Sequence, residues 1–90
     1  MSELSRTVRI VNRRGLHARA SAKFVTLASQ QPAEVHVAKD GSKVLGTSIM
    51  GLMMLGAAMG DEVVISAAGD KADEALAALC TLVEGKFGEE

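Results

Sequence analysis

The 90-residue chain has no tryptophan or tyrosine, one cysteine and one proline. Because one cysteine cannot form an internal disulfide, a disulfide-stapled fold is excluded. Cys80 lies within an apolar helical pattern, which favours a packed thiol over a nucleophile. The aromatic residues are two phenylalanines and the net charge is −1, so the chain lacks the basic, stacking surface of nucleic-acid-binding proteins. We therefore expect no nucleic-acid partner.

Long apolar runs are also missing. The longest apolar stretch, residues 49–59, is interrupted by two glycines and is too short to cross a bilayer. The first five residues lack the layout of a signal peptide, and no cysteine and histidine cluster has the spacing of a metal site. We expect a cytoplasmic monomer without membrane insertion, which forms one domain over residues 1–90 and requires no metal or cofactor.

The hydropathy pattern predicts four strands and three helices. Period-two alternation predicts strands at residues 7–11, 33–38, 42–45 and 62–67, with Val8 and Ile10 facing the core. Helical spacing predicts a first helix over 18–29, a short second helix that is capped by Thr47 or Ser48 and runs until Gly56, and a third helix with an apolar stripe over 72–83. Strands with one apolar face imply a sheet that is covered on one side, and the three helices are available to cover it.

Local signals refine these elements. Asp40-Gly41 predicts a two-residue hairpin turn between the second and third strands, which are therefore antiparallel. Asp70, followed by Asp73 and Glu74, places acceptors and negative charge at the start of the last helix. That helix is expected to fray over residues 85–88.

The candidate reactive residue is His17, where the first strand gives way to the first helix. A helix start presents unpaired N–H groups and the positive end of the peptide dipoles, so an anion held on His17 would meet donors already directed at it. A neutral imidazole has a lone pair that can attack phosphorus. Arg19 adds a planar guanidinium suited to phosphate oxygens. Together with Lys23 and the Arg13-Arg14 pair, it predicts a basic collar that attracts acidic partner surfaces.

Two segments resemble signatures of the HPr family, the histidine phosphocarriers of the bacterial phosphoenolpyruvate-dependent phosphotransferase system. Residues 12–19, Asn-Arg-Arg-Gly-Leu-His-Ala-Arg, are similar to the family's active-site signature. Residues 48–56, Ser-Ile-Met-Gly-Leu-Met-Met-Leu-Gly, are similar to its regulatory-serine signature. The two segments are as far apart along the chain as the two signatures are in the family. One position departs from the pattern, because Ala20 stands where the family usually has proline. Proline fixes the entry angle of a helix, so Ala20 predicts a slightly less constrained first turn and altered transfer rates.

The resemblance implies both the fold and the reaction. The fold would be α+β, an open-faced β-sandwich in which three helices cover one face of a four-stranded antiparallel sheet, in the order β-α-β-β-α-β-α. His17 would accept a phosphoryl group at Nδ1 from enzyme I, with phosphoenolpyruvate as the ultimate donor, and pass it to enzyme IIA-type proteins. Arg19 would neutralise the phosphoryl oxygens. The chain would then be a carrier and a substrate of enzyme I, without turnover of its own.

Ser48 and the short second helix form the second candidate site. By its position alone, Ser48 is a helix cap, which contributes about 1 kcal/mol. The resemblance implies that it is the target of HPr kinase/phosphorylase. The second helix is apolar almost all round, so Leu52 and Leu55 are expected in the core. Three residues remain for a partner-binding surface, and the resemblance supports this role for them: Ile49, Met50 and Met53.

Other interpretations of the sequence remain open. The chain could act mainly as a regulatory docking module, nitrogen-linked or kinase-controlled, whose output depends on phosphorylation of Ser48 or His17. A small hydrolase built on His17 is disfavoured, because no nucleophile or carboxylate lies beside it in the sequence. His36 occupies the polar register of the second strand, which predicts an exposed side chain without a role.

Overall fold

The computed structural model describes residues 3–89. The strands and helices follow one another in the order predicted from the sequence, β-α-β-β-α-β-α. In chain order they are β1 (Glu3–Arg9), α1 (Ala18–Ser29), β2 (Glu34–Lys39), β3 (Ser42–Leu45), α2 (Ile49–Met54), β4 (Glu62–Ala68) and α3 (Ala72–Glu84), followed by a short 3₁₀ turn (Lys86–Gly88). The predicted bounds of α1 and β3 are confirmed, and the Asp40-Gly41 turn joins β2 to β3 with a φ of 51° at Asp40 and 86° at Gly41.

The four strands form one antiparallel sheet in the order β1-β4-β2-β3. Alternate side chains point to opposite faces, and the register places apolar residues side by side on the helix-covered face. Val8 pairs with Val63, and Val37 pairs with Ile65. All four are buried, whereas Val64, on the opposite face, is 37% exposed. The predicted open-faced sandwich is confirmed.

The core lies between the sheet and the helices. α3 packs on β1 and β4, while α1 packs against both α2 and α3. The largest fully buried side chains of this core come from strands, helices, loops and the C-terminal turn. They include Phe24, Ile10, Leu52, Ile65, Leu79 and Phe87. Cys80 is 1% exposed in this core, and burial raises the pKa of its thiol, so the predicted packed cysteine is confirmed.

The bounds of β1 differ from the prediction, because the strand begins four residues earlier and ends at Arg9. Its first five residues are exposed and show no apolar alternation. They belong to the sheet only through main-chain pairing with β4, which side-chain patterning cannot reveal. Ile10 is nevertheless 1% exposed, and its backbone N–H donates to the Asp61 carbonyl at 2.8 Å, so the predicted core role of Ile10 is confirmed.

The predicted start of the last helix is also corrected. α3 begins after Lys71, which has a φ of 56° and forms no side-chain cap hydrogen bond. Asp70 therefore does not cap the helix, although Asp73 and Glu74 lie in its first turn, where negative charge is favourable. His36 is half-buried on the face of the sheet opposite the helices, in register with Leu45 and Ser66, so it is less exposed than predicted.

The loop before α1 depends on glycine at position 15. Gly15 has a φ of +64°, and a Cβ there would lie 2.4 Å from the Ala57 carbonyl oxygen. Gly56 has the same φ of +64°, but a Cβ there would have nothing within 4 Å. A substitution at Gly56 therefore tests the strain of a left-handed backbone alone, whereas the same substitution at Gly15 adds a steric clash.

We expect Gly15→Ala to destabilise the protein more than Gly56→Ala. Each substitution carries the left-handed strain of about 1 to 2 kcal/mol, but only Gly15→Ala forces the loop away from Ala57. Chemical denaturation measures both free energies of unfolding. Equal losses would show that close packing at Gly15 does not constrain this loop.

Candidate functional site

The segment that carries His17 is held by buried hydrogen bonds. The Asn12 side chain, 1% exposed, donates from Nδ2 to the Gly15 carbonyl at 2.8 Å. The Leu16 N–H donates to the Ala57 carbonyl at 3.0 Å, and the Ser21 hydroxyl donates to the Leu16 carbonyl at 3.1 Å. The backbone on both sides of Leu16 is therefore tied to the loop after α2 and to the first turns of α1. These contacts fix where His17 begins the helix.

His17 is the N-cap residue of α1. Its φ and ψ of −73° and 179° are extended, and its Nδ1 accepts a hydrogen bond from the Arg19 N–H at 3.3 Å. The imidazole thus fills the place that Ser, Thr, Asp or Asn usually takes at a helix start. Since an N–H can only donate, Nδ1 must carry the lone pair. The structure directs that lone pair at the unpaired donors of the helix N-terminus.

The other ring nitrogen faces a carboxylate. His17 Nε2 lies 2.5 Å from Glu89 Oε2, and the two side chains are only 18% and 17% exposed. The second oxygen of Glu89, Oε1, accepts from Asn12 Nδ2 at 3.1 Å. An ionised carboxylate only accepts hydrogen bonds, so Nε2 carries the ring proton. The imidazole is held at both nitrogens, in the tautomer that leaves Nδ1 unprotonated.

The pKa of the Glu89 carboxyl lies below its usual range, chiefly because His17 donates a hydrogen bond to it, with Asn12 adding a second. The carboxyl is therefore ionised at neutral pH. A lowered pKa means that this contact stabilises the fold at neutral pH, and that its contribution is lost as the pH falls through the lowered value.

The chain end reaches the site because it is anchored, which corrects the expectation that residues 85–88 fray. Phe87 is 1% exposed, and Lys23 Nζ donates to its carbonyl at 2.7 Å. Lys86 and Phe87 both have left-handed φ angles, of 60° and 55°, which bend the chain back toward α1. Burial of Phe87 compensates for this backbone strain.

Two site residues, Asn12 and Glu89, were missed by reasoning from the sequence. Asn12 stands inside the quoted active-site signature without an assigned role. For Glu89, the sequence offered one signal. Phe87 is a large apolar residue after the end of the last helix, and it could have predicted that the chain packs against the core there.

The basic collar is exposed as predicted. Arg13, Arg14, Arg19 and Lys23 all lie at the surface. No carboxylate among residues 3–89 forms a salt bridge with Arg19, so its guanidinium is available to an anion. Arg19 and Lys23 also border a shallow apolar groove against Leu27 and Leu82.

The second candidate site has the geometry of a cap. Ser48 is the N-cap of α2, and its hydroxyl accepts from the Gly51 N–H at 3.0 Å. Of the two caps predicted from the sequence, Thr47 and Ser48, the structure therefore uses Ser48. Ser48 is half-buried, and the next residue, Ile49, is exposed.

α2 is divided between core and surface. Leu52 and Leu55 are 0% and 9% exposed, which confirms their predicted core positions. The predicted surface residues are exposed: Ile49 by 40%, Met50 by 68% and Met53 by 41%. Met54, which was not included in the prediction, is exposed by 80%. We call these four residues the methionine patch. Because Gly15 and Leu16 contact Ala57, the loop that follows α2 lies directly beside the His17 segment.

Residues 3–89 contain no group of three or more His, Cys, Asp or Glu side chains placed to hold a metal ion. Over the same part of the chain, the helices are too short or too polar to span a membrane.

Comparison with known proteins identifies the family. A family model described as the PTS HPr component phosphorylation site matches residues 4–85. Phosphocarrier protein HPr of Neisseria meningitidis serogroup A is 50% identical over 86 residues, covering 96% of this chain and 97% of that protein. Phosphocarrier protein NPr of Shewanella violacea is 43% identical and covers 99% of this chain and 98% of its own. A crystal structure of HPr-C-His from Thermoanaerobacter tengcongensis is 49% identical, with a TM-score of 0.90, and covers 100% of this chain and 99% of that one. The chain therefore belongs to the HPr family of phosphocarrier proteins of the phosphotransferase system.

Proposed function

We propose that residues 1–90 act as one phosphocarrier domain in which His17 accepts a phosphoryl group from enzyme I and passes it to enzyme IIA-type proteins. The observation that carries this proposal is the hydrogen bond from the Arg19 N–H to His17 Nδ1. It marks Nδ1 as the nitrogen with a lone pair and places that nitrogen at the start of α1. The carrier acts in the cytoplasm as a monomer and depends on no cofactor of its own.

The transfer follows from the site geometry. The lone pair of Nδ1 attacks phosphorus, the Nδ1–P bond forms, and the bond from phosphorus to the donor breaks with its electron pair going to the donor. Nε2 keeps its proton, so the ring gains positive charge on the side that faces Glu89. The Arg19 N–H that bonded Nδ1 is released to a phosphoryl oxygen, and the Ala18 N–H lies at the same helix start.

Arg19 adds a charged donor to this arrangement. Its exposed guanidinium can donate two parallel hydrogen bonds to phosphoryl oxygens in a bidentate contact, which a lysine cannot reproduce. Ala20 is 0% exposed in the first turn of α1, and its backbone is free of the ring that a proline would place there. The first turn is held instead by the Ser21 contacts to His17 and Leu16.

We expect His17→Ala to abolish labelling by phosphoenolpyruvate, magnesium and a cognate enzyme I. The wild type should gain one acid-labile, alkali-stable phosphoryl group, measured by mass spectrometry before and after acid treatment. His36→Ala is the matched control, since His36 lies on the open face of the sheet, and it should be labelled normally. Normal labelling of a folded His17→Ala protein would contradict the carrier function.

The methionine patch is the proposed docking surface for enzyme I and enzyme IIA. Methionine side chains are flexible and polarizable, which suits a surface that must fit several partners in turn. The patch adjoins the His17 segment through the loop at Ala57. The neighbouring basic collar would attract acidic partner surfaces and speed encounter.

Met50→Glu and Met53→Glu should slow transfer from enzyme I while changing the thermal midpoint little, because both side chains are exposed. Leu52→Ala should do the reverse, since truncating a buried leucine costs about 2 to 5 kcal/mol. Steady-state transfer reports docking and thermal melting reports the fold. If both methionine variants transferred at the wild-type rate, the methionine patch would not be the docking surface.

A second candidate function is mainly regulatory docking, controlled by HPr kinase/phosphorylase at Ser48 or linked to nitrogen metabolism. The observation that favours it is the half-buried Ser48 at the start of α2, next to the exposed Ile49. A phosphate there adds about −1.5 to −2 charges beside the methionine patch, which a partner must desolvate.

Ser48→Asp should therefore weaken phosphorylation of His17, whereas Ser48→Ala should leave it nearly intact. Alanine removes only the cap hydrogen bond to Gly51, at a cost of about 1 kcal/mol in stability. Initial rates of labelling by enzyme I compare the two variants. Equal rates would show that Ser48 is a structural cap only.

A further inference from the structure

We propose that Glu89 is a positioning residue that commits phosphorylation of His17 to Nδ1, by holding Nε2 as its hydrogen-bond donor. This inference rests on the proposed function and adds a residue to its site. An imidazole has two nitrogens that can attack phosphorus, and a hydrogen-bond acceptor at one nitrogen fixes the proton there and leaves the other nitrogen for attack. In this chain the carboxylate at Nε2 is that partner.

The position of Glu89 is determined by three separate contacts. Phe87 is buried in the core, Lys23 Nζ holds the Phe87 carbonyl, and Asn12 Nδ2 donates to Glu89 Oε1. The first two anchor the backbone two residues before Glu89, and the third sets the rotation of the carboxylate. With Oε1 occupied by Asn12, Oε2 is directed at Nε2.

Asn12 links this carboxylate to the His17 segment. Its Nδ2 carries two protons and has two acceptors, the Gly15 carbonyl and Glu89 Oε1. Its Oδ1 is buried and lacks a hydrogen-bond partner among residues 3–89, which is costly. Reversing the amide would place that oxygen against two acceptors, so the two hydrogen bonds impose the observed orientation. The same amide thus sets both the loop before His17 and the group that faces its ring.

The contact has two chemical consequences. A protonated Nε2 that donates to a carboxylate has no lone pair to attack phosphorus, and the carboxylate also occupies the approach to that nitrogen. Nδ1 keeps its lone pair, which among residues 3–89 accepts only the 3.3 Å hydrogen bond from the Arg19 N–H and points away from the carboxylate. After attack, the ring bears positive charge, which the adjacent carboxylate stabilises. The positive charge of Lys23 also favours the ionised form of Glu89 and lowers the pKa of its carboxyl.

The test uses phosphoramidate, a small phosphoryl donor, so that no partner protein selects the nitrogen. In this reaction the P–N bond of phosphoramidate breaks, ammonia leaves, and a phosphoryl–imidazole bond forms. The Nδ1 and Nε2 phosphohistidine isomers are then quantified by ³¹P and ¹H NMR. We expect the Nδ1 isomer from the wild type. In Glu89→Ala, we expect the ratio of Nε2 to Nδ1 product to rise about tenfold or more.

Two further variants separate positioning from a general effect of the substitution. Glu89→Gln keeps an oxygen that accepts from Nε2–H, so it should restore most of the Nδ1 selectivity. Glu84→Ala removes an exposed carboxylate at the end of α3 that forms no salt bridge with another side chain among residues 3–89, and it should give the wild-type ratio. Melting curves and backbone amide spectra check that each variant is folded.

The titration of Glu89 itself supplies an independent measurement. In the unphosphorylated wild type, the pKa of Glu89, followed by ¹³C NMR of its carboxyl carbon, should lie below the ordinary glutamate value. In His17→Ala it should rise toward that value, because the first cause of the shift is removed. A Glu89→Ala protein that yields the Nδ1 isomer in the wild-type ratio overturns the proposal. Failure of enzyme I to label the wild type would instead contradict the proposed function, and the phosphoramidate result would still stand.

Discussion

The hydrogen bond between the Arg19 N–H and His17 Nδ1 is the interaction on which the rest of the site depends. A helix start needs an acceptor for its unpaired N–H groups, and here that acceptor is also the proposed nucleophile. The imidazole is therefore held in place by the hydrogen bond through which it caps α1. Replacement of that cap by a phosphoryl oxygen keeps the same donors satisfied, so the helix is suited to both states of a carrier.

Three distant parts of the chain converge on this histidine. The loop after α2 accepts from the Leu16 N–H through Ala57, and Gly15 leaves the space that this contact requires. The chain end brings Glu89 to Nε2. α2, whose N-cap is Ser48, presents the methionine patch beside the same loop. The proposed phosphoryl acceptor, the proposed docking surface and the proposed regulatory serine thus lie near the same loop, where a charge at one of them would affect the binding of a partner at another.

Elements with strong local signals were predicted well from the sequence. α1 has helical spacing of apolar residues and β3 follows an Asp-Gly turn, and the structure places both at the predicted residues. The core side of α2 was also predicted, since Leu52 and Leu55 lie on one side of an ideal helix. The start of β1 was missed because its first residues are exposed and belong to the sheet only through backbone pairing. The start of α3 was misassigned because Lys71 adopts a left-handed conformation without a capping side chain.

The sequence by itself determined the order of the elements, the open face of the sheet and the candidate nucleophile, because periodicity, turns and caps are properties of neighbouring residues. The proton position on His17 was decided only by the tertiary structure. Glu89 lies 72 residues from His17, and no local pattern connects them. Their contact exists because burial of Phe87 and the Lys23 hydrogen bond bring the chain end back across α1. The His17–Glu89 contact depends on how distant segments pack together in the core. The hydropathy pattern around these two residues therefore does not predict it.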